Sequence, residues 1–177
     1  NYPNAQYATV VGGNNNDTDS TNATYSVMVG GYNNRVSSQY GIIVGGNLNN
    51  VDGIRSVIVG GYDNDAFNTD CVTVGGYQNK TAQNYATCVG GRDNYPNAQY
   101  ATVVGGNNND TNSTNATYSV MVGGYGNRVS STDGTIVGGE SNVVSGNQAT
   151  VVGGLQQNAT GTRSVIVGGF DNDAFNT

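Results

Sequence analysis

The sequence predicts an all-β parallel β-solenoid, a β-roll of eleven 15- to 18-residue coils, and three observations carry that prediction. Gly-Gly pairs begin at Gly12, Gly30, Gly45, Gly60, Gly75, Gly90, Gly105, Gly123, Gly138, Gly153 and Gly168, spaced by 15 residues eight times and by 18 twice. A run of mostly β-branched residues ends at every pair. An Asn stands four residues after the first Gly in ten of the eleven units. A repeat of this kind is read before any secondary structure, because it decides the architecture. Fifteen residues are too few for a helix pair and suit one coil of stacked strands.

Each element follows from its place in the unit, numbered from the first Gly as zero. Position −1 is always Val, position −2 is Val, Met or Ile except at Thr73 and Cys88, and position −3 is Val, Ile or Thr. These residues favour the pleated, half-buried surface of a short strand. The two glycines close it, because Gly adopts positive φ or tolerates close backbone approach. The Asn at +4 is expected to accept the left-handed region and to bond the same amide in the coils above and below, as a ladder. Its members are Asn16, Asn34, Asn49, Asn64, Asn79, Asn94, Asn109, Asn127, Asn142 and Asn172, with Gln157 in the remaining unit. The 18-residue units, Asn14–Thr24 and Asn107–Thr117, each carry three extra polar residues, read as one lengthened loop.

The two faces of the strand differ in what they need. Side chains alternate along a strand, so −4 and −2 share one face and −3 and −1 the other. Position −4 is always small, which suits a narrow coil interior together with the aliphatic −2 residue. The opposite face is Val, Ile or Thr throughout, whereas a solvent-facing strand face is ordinarily polar. The row Val11, Val29, Val44, Val59, Val74, Val89, Val104, Val122, Val137, Val152 and Val167 is therefore expected to be an interface with another copy. Eleven coils stacked about 4.8 Å apart would make a rod roughly 50 Å long.

At Ile136–Gly146 the chain reads IVGGESNVVSG, with near matches in VMVGGYNNRVSS and VVGGLQQNATG. This pattern resembles the head repeats of YadA-like trimeric autotransporter adhesins, and the match runs through all eleven units. The resemblance implies a trimer of left-handed parallel β-rolls on a bacterial surface, or a related phage or other fibre. A longer repeat lies above the unit. Residues 1–32 recur as 94–125 with one change, Asp19 against Asn112, and residues 56–69 recur as 164–177 with Phe170 in place of Tyr62. Residues 1–177 thus read as a single repeat array, a window of a longer one.

Composition sets the limits on chemistry. Only 10% of residues are charged, against about 25% in ordinary globular chains, and there is no His. Without imidazole there is no Ser-His-Asp triad and no His metal ligand, so the chain is not expected to be an enzyme and no cofactor is implied beyond covalent N-glycans. The net charge of −6 opposes nucleic acid, and no apolar run approaches the roughly 18 residues of a membrane span, so neither nucleic acid nor membrane contact is expected.

Several residues still invite a specific reading. Asp63 and Asp65, like Asp171 and Asp173, could offer oxygens to a hard cation, but the repeating calcium pattern is absent and a solvated turn is favoured. Cys71 and Cys88 stand at inward positions of adjacent coils with Cα atoms about 8 Å apart, beyond the roughly 7 Å reach of a disulfide, which favours two buried thiols. Tyr recurs six times at −5 and four times at +2. Such rows serve either as sugar-binding aromatics or as a ladder covering the coil edge, the latter being favoured. Thr recurs irregularly at −3, which argues against a regular ice-binding array. Seven N-x-S/T sequons occur. Asn16, Asn79 and Asn109 are ladder positions and are expected to stay bare, whereas Asn22, Asn112, Asn115 and Asn158 are expected to carry glycans if the source glycosylates secreted proteins.

Taken together, the sequence points to a non-enzymatic structural repeat protein, an extracellular or cell-surface fibre or adhesin shaft. It would self-associate as a homotrimer or fibril. The alternative is a module of a surface adhesin or viral tail fibre that binds surface glycans or a receptor.

Overall fold

The computed structural model describes residues 1–19, 21–112 and 115–175. Those residues are all-β, with no helix, and form a β-solenoid of about eleven turns. Each coil contributes a three-residue strand ending at its Gly-Gly pair, from Thr9–Val11 to Val165–Val167. All eleven join in chain order into one parallel sheet. A second strand of two residues, at +5 and +6, runs from Tyr2–Pro3 to Asp173–Ala174. Position +2 adds a third line of parallel bridges, from Asn14 paired with Tyr32 to Leu155 paired with Phe170. The coil is thus three short parallel runs joined by three corners.

Every pairing joins residues of the same phase, as in Val72 with Thr87 and Val74 with Val89. The sheet at +5 and +6 is split into six and five strands by Pro96, which lies between them. Proline has no N–H for a ladder, and in this sheet that coil keeps a single bridge, Tyr95 with Asp110.

Each corner is turned by residues with positive φ, and here the structure corrects one expectation. The left-handed residue is at +3, one before the ladder, for example Asp63 (φ 54°) and Gln78 (φ 53°). The Asn at +4 is never among the positive-φ residues. Its side chain instead points into the coil, the orientation the ladder needs. A second left-handed position lies at −5, where Tyr, Arg, Asp and Gln all adopt φ between 55° and 63°. The glycines of the third corner have different reasons. A Cβ on Gly75 would meet nothing within 4 Å, so its φ of +63° alone calls for Gly. A Cβ on Gly76 would collide with Nδ2 of Asn79 and the carbonyl oxygen of Gly91.

The interior holds the −4 and −2 residues of the long strand, the ladder amide and the +6 side chain. Met28, Val36, Ile43, Val51 and Ile58 pack in one apolar cluster, and Val103, Met121, Val129, Ile136 and Val144 in another. Between them the interior turns polar. Thr73 and Thr81 face each other across one coil, with their hydroxyl oxygens 3.2 Å apart.

Leu48 sits at the +3 corner with φ 59° and is 40% exposed, so its side chain gains little from burial there. A non-glycine residue held left-handed costs on the order of 1 kcal/mol, and Asn bears this best. Leu48→Asn is expected to stabilise the protein by about 0.5–1 kcal/mol, and Leu48→Val to destabilise it. The midpoints of denaturant unfolding check both; equal midpoints would remove the strain argument.

Candidate functional site

The residues singled out in the sequence fall on four surfaces of the coil, one internal and three external. The internal one is the amide ladder. From Asn1 to Asn142, each side-chain oxygen accepts the backbone N–H of the ladder residue one coil on, at 2.9–3.2 Å, without a break. The Nδ2 group is spent mainly on the glycine turn of the next coil, as in Asn79 to the carbonyls of Gly90 (3.2 Å) and Gly91 (3.3 Å). Direct amide-to-amide bonds join only some neighbours, such as Asn64 to Asn49 at 3.2 Å. The ladder therefore ties strand, turn and neighbouring coil together. Ten of its members, Asn16 to Gln157, are 0–1% exposed, and the last, Asn172, bonds Gln157 at 2.8 Å.

The long-strand sheet turns its −1 and −3 residues outward. From Val29 to Val152 the −1 valines are each 38–42% exposed, a continuous apolar row. No charged residue occurs at −1 or −3 in any coil. The sheet at +5 and +6 has the opposite character. Its outward +5 position sets Asp17 in register with Arg35, Asp65 with Lys80 and Asp110 with Arg128 across neighbouring coils, and the Arg35 guanidinium itself donates to Asp19 at 3.0 Å. One face carries charges of both signs, and the other carries none.

The −5 corner forms a row of its own. Tyr7, Tyr25 and Tyr40 stack with centroids 4.9 and 5.4 Å apart, and Tyr85, Tyr100 and Tyr118 stack at 4.7 and 4.8 Å. Between the stacks lies an ion pair absent from the sequence reading. The Arg55 guanidinium donates to both carboxylate oxygens of Asp70, at 2.8 and 2.6 Å. Opposite charges 15 residues apart at one phase were the signal that could have found it. Ring faces are turned against one another within each stack, leaving edges outward, which is the geometry of a covering ladder. At +2, Tyr62 stacks on Tyr77 at 5.2 Å and Arg92 lies over the Tyr77 ring.

The remaining residues are placed as follows. Cys71 and Cys88 are both buried and unbonded. Burial pushes the Cys88 thiol up to about 12, which makes it a poor nucleophile at neutral pH. Among the described residues no three of His, Cys, Asp or Glu gather where they could hold a metal ion. Asp63 instead accepts from Gln78 Nε2 at 2.8 Å. Of the sequons, Asn16, Asn79 and Asn109 are buried ladder members. Asn22, Asn112 and Asn115 are exposed, and Asn158 is half-buried with its Nδ2 3.0 Å from Asp173. No protein-family model matches the chain, and no curated protein does so either.

Two expected outcomes follow from this geometry. Asn64→Leu leaves the Asn79 N–H unpaired inside the coil, at about 1–3 kcal/mol, and takes from the Gly76 carbonyl one of two bonds, leaving it the Tyr62 N–H. Because solenoid coils contact mainly their neighbours, hydrogen exchange should quicken in the coils flanking Asn64 and nowhere else. Uniform loosening, or none, would count against the ladder as the local tie.

The second concerns pH. Burial pushes the Asp65 carboxyl above its ordinary 3.8, with Lys80 pulling it back. Burial does the same to Asp110, opposed by Arg128. The hydrogen bond from Arg55 holds Asp70 below that value. Raised groups bind protons more tightly when folded, so stability should increase as pH falls from 7 towards about 4. Below that, Asp70 must give up its ion pair, and stability should fall again. Thermal midpoints measured across pH check this, and the double variant Asp65→Asn/Asp110→Asn should flatten the upper limb.

Proposed function

We propose that this chain is a non-enzymatic structural segment of an extracellular or cell-surface fibre, which self-associates through its uncharged valine face as a homotrimer or fibril. The observation that carries the reading is the contrast between the two sheets. An outward row of Val at −1, repeated in every coil, contrasts with a face that carries charges of both signs. The valine face is bordered by the Tyr-bearing −5 corner on one side and the +2 line on the other. An apolar centre rimmed by aromatic and polar groups is the usual anatomy of a protein interface.

Its size agrees. Eleven strands at about 4.8 Å, with flanking corners some 15 Å apart, offer roughly 700 Å² per copy, close to the roughly 800 Å² of a standard interface partner. The resemblance to YadA-like adhesin repeats points the same way, towards a shaft that gives reach and presents its loops. N-glycans on Asn112 and Asn115 would add solubility that a chain of 10% charged residues otherwise lacks.

Val74→Asp tests the interface. Val74 points outward, so the single chain can solvate the new carboxylate and should fold as before. In the assembly the same group is buried without a partner, at several kcal/mol per copy. Light scattering should show an oligomer for the wild type and a monomer for the variant. An unchanged mass, or a monomeric wild type, would sink this reading.

A further inference from the structure

The first lengthened loop does more than extend the coil. It walls a groove of about 470 Å³, within the roughly 300–1,000 Å³ of small-molecule sites. The groove crosses three coils. Thr21 and Asn22 come from the loop, Ser37 and Gln39 from the next coil, and Asp52 and Ile54 from the one after. Apart from Ile54, every lining residue carries a hydroxyl, an amide or a carboxylate. No Lys or Arg lines it, which disfavours a phosphate, sulfate or carboxylate ligand.

We propose that this groove is a binding site for a neutral saccharide. A sugar ring presents hydroxyls around its rim and aliphatic C–H groups on its face. The groove supplies the complement: acceptors and donors around one apolar side chain, Ile54, which is 43% exposed. Asp52 is held in place rather than loose. The Ser37 hydroxyl donates to one of its oxygens and Asn50 Nδ2 to the other at 2.8 Å. A carboxylate has about four acceptor sites, so two remain for adjacent sugar hydroxyls. This site goes beyond the self-association proposed above and does not depend on it, because it lies on the loop rather than on the valine face.

The chain carries its own control. The second lengthened loop repeats the first with an offset of 93 residues, and Asn115, Ser130 and Ser131 stand where Asn22, Ser37 and Ser38 stand. Three positions differ: Thr132, Ser145 and Asn147 replace Gln39, Asp52 and Ile54. The second station therefore lacks both the carboxylate and the apolar platform.

The experiment uses chain made in a bacterial host, so that the Asn22 sequon stays bare. Saturation-transfer NMR is run with methyl glycosides of glucose, galactose, mannose and N-acetylglucosamine, and with β-1,4-linked glucose and N-acetylglucosamine hexasaccharides. The wild type should transfer saturation to at least one of them. Response to a methyl glycoside marks a terminal sugar as the source, and response to hexasaccharides alone marks the interior of a polysaccharide.

The triple variant Gln39→Thr/Asp52→Ser/Ile54→Asn imports residues already tolerated at the same stations, and should weaken binding at least about tenfold. Adding Thr132→Gln/Ser145→Asp/Asn147→Ile to it should restore binding at the second loop. Absence of saturation transfer to every probe, or equal binding by the triple variant, would each overturn the proposal. Val74→Asp should leave binding intact, which separates failure here from failure of the interface.

Discussion

In-register stacking is the constraint from which the rest of this molecule follows. Each coil lies on the next with like phase over like phase, so Thr73 pairs with Ile58 on one side and Cys88 on the other. A residue type that repeats at one phase meets itself every coil, about 4.8 Å away. Only side chains that gain from such a meeting can form a row. Valine does so by packing, tyrosine by stacking, and asparagine by passing a hydrogen bond from coil to coil. Charges gain only by alternating sign, as Asp65 with Lys80 and Arg55 with Asp70 do.

The asparagine row and the glycine corner are two halves of one device. Gly76 has no Cβ, so the Asn79 amide and the Gly91 carbonyl can close in around its Cα. In return the Asn79 amide donates to the Gly90 carbonyl at the corner and adds a second bond to the Gly91 carbonyl, which also accepts the Tyr77 N–H. The middle of the array shows how much variation this frame absorbs. There Thr73, Thr81 and Cys88 replace aliphatic residues and Pro96 interrupts a sheet, yet the ladder bond from Asn79 to Asn94 holds at 3.0 Å.

Much of this could be read in the sequence, because a repeat prints its phases in the open. Position −1 faces outward and position −2 inward simply because strand side chains alternate, and an Asn that recurs at one phase reads as a ladder. The corners were less legible. Tyr40 and Leu48 are not residues that advertise positive φ, and the left-handed conformation expected of the ladder Asn falls on the residue before it. Packing overrode local preference there: the side chain that tolerates the left-handed region was needed inside, so the residue before it took the strain. The groove was hidden for another reason. Its lining comes from three coils, and its depth depends on the path of a loop that no periodicity describes.

That loop also shows where the fold accepts novelty. The first long unit inserts its three residues between the +6 strand and the −5 corner. Pairing on either side is unmoved, with Thr9 opposite Val27 and Asp17 opposite Arg35 across 18 residues instead of 15. An insertion inside a strand would shift every later side chain to the wrong face. One within the glycine turn would pull the ladder amide from its carbonyls. The corner before −5 escapes both penalties, because its extra residues can bulge outward while both strands keep their phase. New surface chemistry can therefore be added there at small cost to the stack, and the groove lined by Asp52 and Ile54 opens beside such an insertion.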